Sequence, residues 1–409
     1  MKDLKHLYYL EKLLQEVNNE LVREASAEGR IAIGGVCAQI PEPLLNLPGC
    51  FQVRLRAPRT GSVEMGTYYM SSILCECCRA IVERALEGGY QFLDCIVAPD
   101  ACAQMNRCVE NIEHLNLCEK ERFFVTYADV PMKSTGTALK HYVKQMRVHV
   151  LEPLREHYDI DVSDEAIRRA VALQNEVSRL IREIGEYRKE ANPRITGYEF
   201  AVLCLSTYCC PQDKLLDILR ETAGELKSRE PDRKPAFRAR VVLAGSEIDD
   251  PELIRLIEEA GALVVADRYC LGSLPNRGEI LLTDEEDALT QVCRTYIQWG
   301  QCPRFMNTEK LVERQTYIDR LIKEYQADGI ILQQLKFCDY WGYERAHLTH
   351  VLREDYGVPV LSVDRPYVAG NSGQLRTRVQ AFVESIEIKR LAHGSREPNT
   401  PPQATEHQF

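Results

Sequence analysis

The 409-residue sequence predicts an α/β protein of two parallel-sheet domains with a helical middle segment, and three observations carry that expectation. Short apolar runs bounded by turn residues alternate with amphipathic helical stretches in two separate blocks, the rhythm of sheets wrapped by helices. Between them, from about 150 to 230, the chain is highly charged and helically periodic. An apolar content of 45% is ample for the cores of two or three domains.

Taken in order, apolar residues at helical spacing (Leu4, Leu7, Leu10, Leu14, Val17, Leu21) predict an amphipathic helix over 3–29 that stops at Gly29. Strands are expected at Ile31–Val36, Gln52–Arg56, Phe92–Ala98 and Arg122–Tyr127, with helices at Ser72–Glu87, Ala101–Leu115 and from Ala138. In the middle segment Asp164 is expected to cap a long helix, Asn192-Pro193 to break the run and Pro211 to open another helix. The stretch Ser228–Pro235, with two prolines, reads as a linker. The second block repeats the alternation, with strands at Arg240–Ala244, Ala262–Ala266, Gly329–Gln334 and Pro359–Val363. Its helices are expected at Asp250–Ala260, Glu285–Trp299, Glu309–Tyr325, Glu344–Tyr356 and Gln374–Leu391. The division is therefore 1–150, 151–235 and 236–392, two Rossmann-like units around a helical segment, followed by a disordered tail over 393–409.

A net charge of -10 argues against a general nucleic-acid binder, whose affinity rests on Lys and Arg neutralising phosphates. The N-terminus carries no signal-peptide core and no stretch reaches membrane-spanning length, so a cytoplasmic protein without membrane attachment is expected. In a reducing compartment sixteen cysteines are poorly explained as disulfides, and metal or redox chemistry becomes the leading reading. Against this stands the ordinary behaviour of a free cysteine as a small buried apolar residue.

Position separates the two readings. Ligands of open parallel sheets bind where strands end and helices begin. Cys37, Cys102, Cys270 and Cys338 each follow an expected strand, Cys75 sits near a helix start, and Cys302 lies just past a helix end in Gly300-Gln-Cys302-Pro. Helix N-termini stabilise thiolates and offer amides to an anionic cluster. Cys95, Cys108, Cys118, Cys204 and Cys293 fall inside elements and read as packing, while Cys50 falls in an expected loop. Cys77 and Cys78 are expected on other helix faces than Cys75, and neither they nor Cys209-Cys210 show the paired spacing of a zinc ribbon. Dispersed single cysteines suit a buried cluster between domains better than a compact ferredoxin run.

These residues also carry a resemblance covering the chain to about residue 391. Gly35-Val-Cys37-Ala-Gln-Ile-Pro41-Glu42, Cys75 with Tyr90–Asp94, Pro99-Asp-Ala-Cys102, Asp267-Arg-Tyr-Cys270-Leu-Gly272, Cys302-Pro303, Leu335–Asp339 and Gly373–Phe382 resemble motifs of one superfamily. Its members are 2-hydroxyacyl-CoA dehydratase subunits, benzoyl-CoA reductase subunits and double-cubane cluster proteins. Leu-Gly-Ser-Leu-Pro after Cys270, and Ala after Cys102, depart from the usual pattern. The resemblance implies an oxygen-sensitive iron-sulfur enzyme component, working as a homodimer or as a heterodimer with a related subunit. It implies an electron supplied by a separate ATP-dependent iron-sulfur activator, and an acyl-CoA as the possible substrate. In dehydratases of this kind one [4Fe-4S] cluster would be held by Cys75, Cys102 and Cys338. In the double-cubane branch, toward which the six motifs lean, Cys37, Cys75, Cys102, Cys270, Cys302 and Cys338 would hold two [4Fe-4S] units bridged by sulfide. A noncatalytic partner subunit is the alternative from another functional class.

Other features read more plainly. Lys133-Ser-Thr-Gly136-Thr137 lacks the P-loop pattern, and Gly370–Gln374 is either an anion-binding turn or a capped helix start. Glu344, His347 and His350 have a spacing that a metal site could use but read better as a solvated helix face, and Glu42 and Lys336, near motif cysteines, read as proton carriers or hydrogen-bond partners of a cluster.

Overall fold

A computed structural model describes residues 2–233, 236–273, 278–368 and 372–393. The first block runs α1 (Leu7–Leu14), α2 (Glu20–Ala27), β1 (Ile31–Gly35), α3 (Glu42–Leu45), β2 (Cys50–Arg54), α4 (Glu64–Met70), α5 (Glu76–Leu86), β3 (Cys95–Asp100), α6 (Ala103–His114), β4 (Phe124–Asp129) and α7 (Gly136–Met146). A π-helical turn at Arg147–Leu151 leads to α8 (Glu152–Tyr158), α9 (Asp164–Glu186), α10 (Gly197–Cys209) and α11 (Gln212–Ser228). The second block comprises β5 (Ala239–Gly245), α12 (Glu252–Glu259), β6 (Ala262–Tyr269), α13 (Ala288–Trp299), α14 (Thr308–Glu324), β7 (Gly329–Leu335), α15 (Asp339–Glu354), β8 (Val360–Arg365) and α16 (Ser372–His393).

The two sheets share one topology. Their strand orders are β2-β1-β3-β4 and β6-β5-β7-β8, and every pairing is parallel. This is the expected α/β fold of two Rossmann-like units. In each, the order reverses beside the first strand of the block, and the crevice outside that reversal is where such sheets bind ligands. β2, β5 and β6 are buried at every position, as parallel strands covered on both faces must be. Helix α10 is also buried at every position and packs against both β2 and β6, so it joins the two sheets rather than presenting an amphipathic face. Among the described residues no helix is long and apolar enough to cross a membrane.

Several expectations are corrected. The single N-terminal helix is two, because the Asn19 side chain accepts from the Val22 amide and starts α2 afresh. Ser163, not Asp164, caps α9 by accepting from the Ala166 amide. Cys50 opens β2 rather than lying in a loop. The short helices α3 and α4 lacked a long enough apolar period to be expected. Gly370 and Asn371, Lys234-Pro235 of the linker, and the tail beyond His393 lie outside the described residues.

Candidate metal centre

All six cysteines singled out by position line one cavity of about 130 Å³ between the carboxyl ends of the two sheets. That volume is on the scale of an apolar cavity that accepts a benzene-sized group. Cys37 lies two residues past β1 and Cys102 two past β3, flanking the order reversal of the first sheet. Cys270 follows β6 directly, and Cys338 follows β7 by three residues. Cys302 arrives from the segment between α13 and α14. Cys75, Cys102 and Cys338 are the N-cap residues of α5, α6 and α15, so their side chains hang over first-turn amides that lack partners within the helix. Cys37 (φ 59°) and Phe337 (φ 65°) occupy the left-handed region, a conformation of order 1–3 kcal/mol in cost that the surrounding fold must impose.

Three polar side chains hold the cysteines together. Gln104 accepts at Oε1 from the Cys75 amide and donates to the Phe337 carbonyl (2.8 Å) and to Asp339 Oδ2 (2.9 Å). Standing two residues after Cys102, it ties the segments of Cys75, Cys102 and Cys338. Arg304 donates to the carbonyls of Ala101 (2.9 Å), Asp100 (3.2 Å) and Pro131 (3.3 Å), anchoring the Cys302 segment to the first sheet. Glu344 of α15 accepts twice from Arg314 (2.9 and 3.1 Å) and pairs with Arg268 (3.2 Å). Those arginines donate in turn to the Phe305 and Gln301 carbonyls, on either side of Cys302. Glu344 is therefore buried rather than solvated, while His347 is half-buried against Gln315 and His350 is exposed as expected. None of these long polar side chains is marked in the sequence as anything but surface.

Cys77 and Cys78 also line the cavity, against expectation. The reason is local: Cys75 is the cap rather than part of α5, so it folds back over the first turn and its thiol hydrogen-bonds that of Cys78. This contact, then the Cys78 and Cys77 amides, bring Cys75 down to about 7 despite burial. The other five thiols are pushed up by burial, partly countered at Cys102, Cys302 and Cys338 by helix or turn amides.

Glu247 had no marker in the sequence, yet it lines the cavity two residues past β5, the place Cys37 holds past β1. The chain reaches it through Gly245 (φ 149°), where a Cβ would stand 1.9 Å from the Gln333 carbonyl, so only glycine fits. Burial pushes Glu247 up from 4.5 to about 7. Between pH 4.5 and 7 the unfolded carboxyl ionises while the folded one keeps its proton, so stability falls as pH rises through this window and is level above it. Glu247→Gln is therefore expected to stabilise the metal-free protein by about 1–3 kcal/mol at pH 8, with the gain vanishing near pH 4.5. Urea unfolding at the two pH values checks this. Glu42 and Lys336 do not line the cavity: Glu42 is buried against Gln212, and Lys336 faces a separate cleft with Tyr367.

The donor set fits a polynuclear sulfur-rich group. Thiolates are soft ligands, the choice of iron-sulfur clusters. Among the described residues no three Cys, His, Asp or Glu side chains form a site for a single metal ion; the thiols surround a chamber instead of converging on a point. Among the described residues two fully buried guanidiniums keep unpartnered nitrogens, Nε and Nη1 of Arg268 and Nε and Nη2 of Arg54. Arg268 lines the chamber, where an anion would answer its free nitrogens, while Arg54 stands behind the lining residues.

A family model described as 2-hydroxyglutaryl-CoA dehydratase, D-component, matches residues 37–386. The (R)-phenyllactyl-CoA dehydratase beta subunit of Clostridium sporogenes is 25% identical over 376 residues, covering 91% of this chain and 96% of that protein. The beta subunit of (R)-2-hydroxyglutaryl-CoA dehydratase from Acidaminococcus fermentans is 21% identical over 374 residues, 90% and 95% of the two chains. A benzoyl-CoA reductase subunit of Thauera aromatica is 21% identical over 355 residues, 85% and 89%.

Proposed function

The chain belongs to the family of the 2-hydroxyglutaryl-CoA dehydratase D-component, and from that premise we propose that it is the iron-sulfur component of a low-potential reductase or dehydratase. Cys37, Cys75, Cys102, Cys270, Cys302 and Cys338 would hold a sulfide-bridged pair of [4Fe-4S] units. The observation that carries this reading is the meeting of all six in one chamber, from segments spread over 302 residues of chain (Cys37 to Cys338). Such a cluster supplies one-electron reduction at low potential and, at an iron without a protein ligand, Lewis acidity. The chain's own part is to exclude water with Tyr142, Tyr296, Ile297 and Phe305 along the cavity wall, and to keep a proton at the Glu247 carboxyl. The electron would come from an ATP-dependent iron-sulfur activator, and the partner in the working enzyme would be a second copy or a related subunit. The names of the relatives support an acyl-CoA as substrate.

A second reading rests on Gln104. It joins the segments of Cys75, Cys102 and Cys338 alone, which favours a single [4Fe-4S] cluster there, with the Cys37, Cys270 and Cys302 side left for substrate. Anaerobic purification with iron, sulfide and EPR analysis separates the two, at about eight irons per chain for the pair and about four for one cluster. Stoichiometric zinc without sulfide would end both. On the double reading Cys37→Ala, Cys270→Ala and Cys302→Ala each lower iron content; on the single reading they leave it unchanged.

A further inference from the structure

Four arginines rank among the largest side chains that are fully buried, and three have acceptors. Arg56 donates to the Asp249 and Leu14 carbonyls, Arg268 to the Gln301 carbonyl and Glu344, and Arg314 to Glu344 and the Phe305 carbonyl. Arg54 differs. It is 1% exposed, and among the described residues its Nε and Nη2 meet no acceptor and no ion pair joins it. Its described contact is the Tyr208 ring, 5.5 Å from the guanidinium carbon. A cation taken out of water without a direct ion-pair partner costs several kcal/mol, a cost that a fold retains only where something else is gained.

Placement says where the gain lies. On β2, Arg54 is in register with Gly35 of β1, two residues before Cys37. The Tyr208 hydroxyl that backs it donates to the Gly272 carbonyl, two residues after Cys270 (3.1 Å). Cys37, Cys270 and Glu247 of the chamber all lie within its electrostatic reach. Arg54 therefore stands between the Cys37 turn and the Cys270 turn, behind one side of the chamber, while the Gln104 tie serves the other side. We infer that Arg54 is the anion clamp of the Cys37, Cys270 and Cys302 half: its free N–H groups donate to sulfur of a cluster unit held there and let that half load. The inference rests on the double-cluster reading above. Arg54 acts as a positioning residue, through the cluster unit and not on substrate.

A clamp of this kind has opposite effects on the empty and the loaded protein, which a purely structural arginine does not. Arg54→Met removes an unpaired buried charge, so the metal-free full chain is expected to melt roughly 2–5 °C higher. After anaerobic reconstitution the same variant should fall from about eight irons and a matching sulfide content to about four. Arg54→Lys keeps the charge but not the planar fork, and is expected to retain iron while its reduction potential moves negative, since fewer hydrogen bonds reach the sulfurs. A full iron load with unchanged potential in Arg54→Met overturns the inference, and so does a lower melting temperature of its metal-free form. Wild-type and Arg54→Met chains that both hold about four irons also overturn it, while leaving a single-cluster enzyme standing. Wild-type protein with zinc and no sulfide instead refutes the underlying reading.

Discussion

Cys338→Ala is expected to lose at least half of the bound iron and sulfide, and all of it if one cluster is present. Cys338 lies within electrostatic reach of Cys75, Cys270 and Cys102, so it borders both proposed halves of the chamber. Its sulfur takes a single first-turn amide of α15, that of Trp341, and the residue is half-buried. Losing one sulfur should therefore leave the metal-free fold within about 1 kcal/mol of wild type. Iron and sulfide assays on anaerobically reconstituted protein, beside denaturant unfolding of the metal-free form, separate the two effects. An unchanged iron content would remove Cys338 from the ligand set, and with it both cluster readings.

Glu344→Ala is expected to destabilise the metal-free protein by about 3–5 kcal/mol, the cost of leaving buried charge uncompensated. Glu344 is 4% exposed and answers two arginines at once, Arg314 through both oxygens and Arg268 through one. Replacing the pair by well-packed apolar residues need not be costly; removing one member is, because two guanidiniums then stay in the core. Glu344→Gln, which keeps an acceptor, should lose less. Since Arg268 stands two residues before Cys270, and Arg314 holds the Phe305 carbonyl three residues after Cys302, iron loading should fall in step with stability. Urea unfolding at pH 7 gives the magnitude, and a loss below about 1 kcal/mol would show that water reaches the arginines.

Much of the site was legible from local pattern. Cys37, Cys102, Cys270 and Cys338 stood out because apolar strand sequence ends just before each, and strand ends are where parallel sheets bind ligands. Cys75 and Cys302 were marked by neighbouring helix ends. Gln104, Arg304, Arg54 and Glu344 were not, because a long polar side chain has the same local pattern whether water or a distant carbonyl receives its hydrogen bonds. Gln104 meets Phe337 across 233 positions, and Arg304 meets Ala101 across 203. Helical periodicity sets Cys77 and Cys78 apart from Cys75 only where Cys75 belongs to the helix, and it lies outside as the cap.

Strand and helix sequence, being governed by contacts a few residues apart, determined that there are two similar sheets and that lone thiols stand at their carboxyl ends. That these thiols share a single chamber, that Glu247 takes in the second sheet the place of Cys37 in the first, and that Arg54 has no ion pair among the described residues were decided by tertiary structure. Each depends on how one sheet faces the other across α10, and burial of a charge or a thiol belongs to that packing rather than to the residue that carries it.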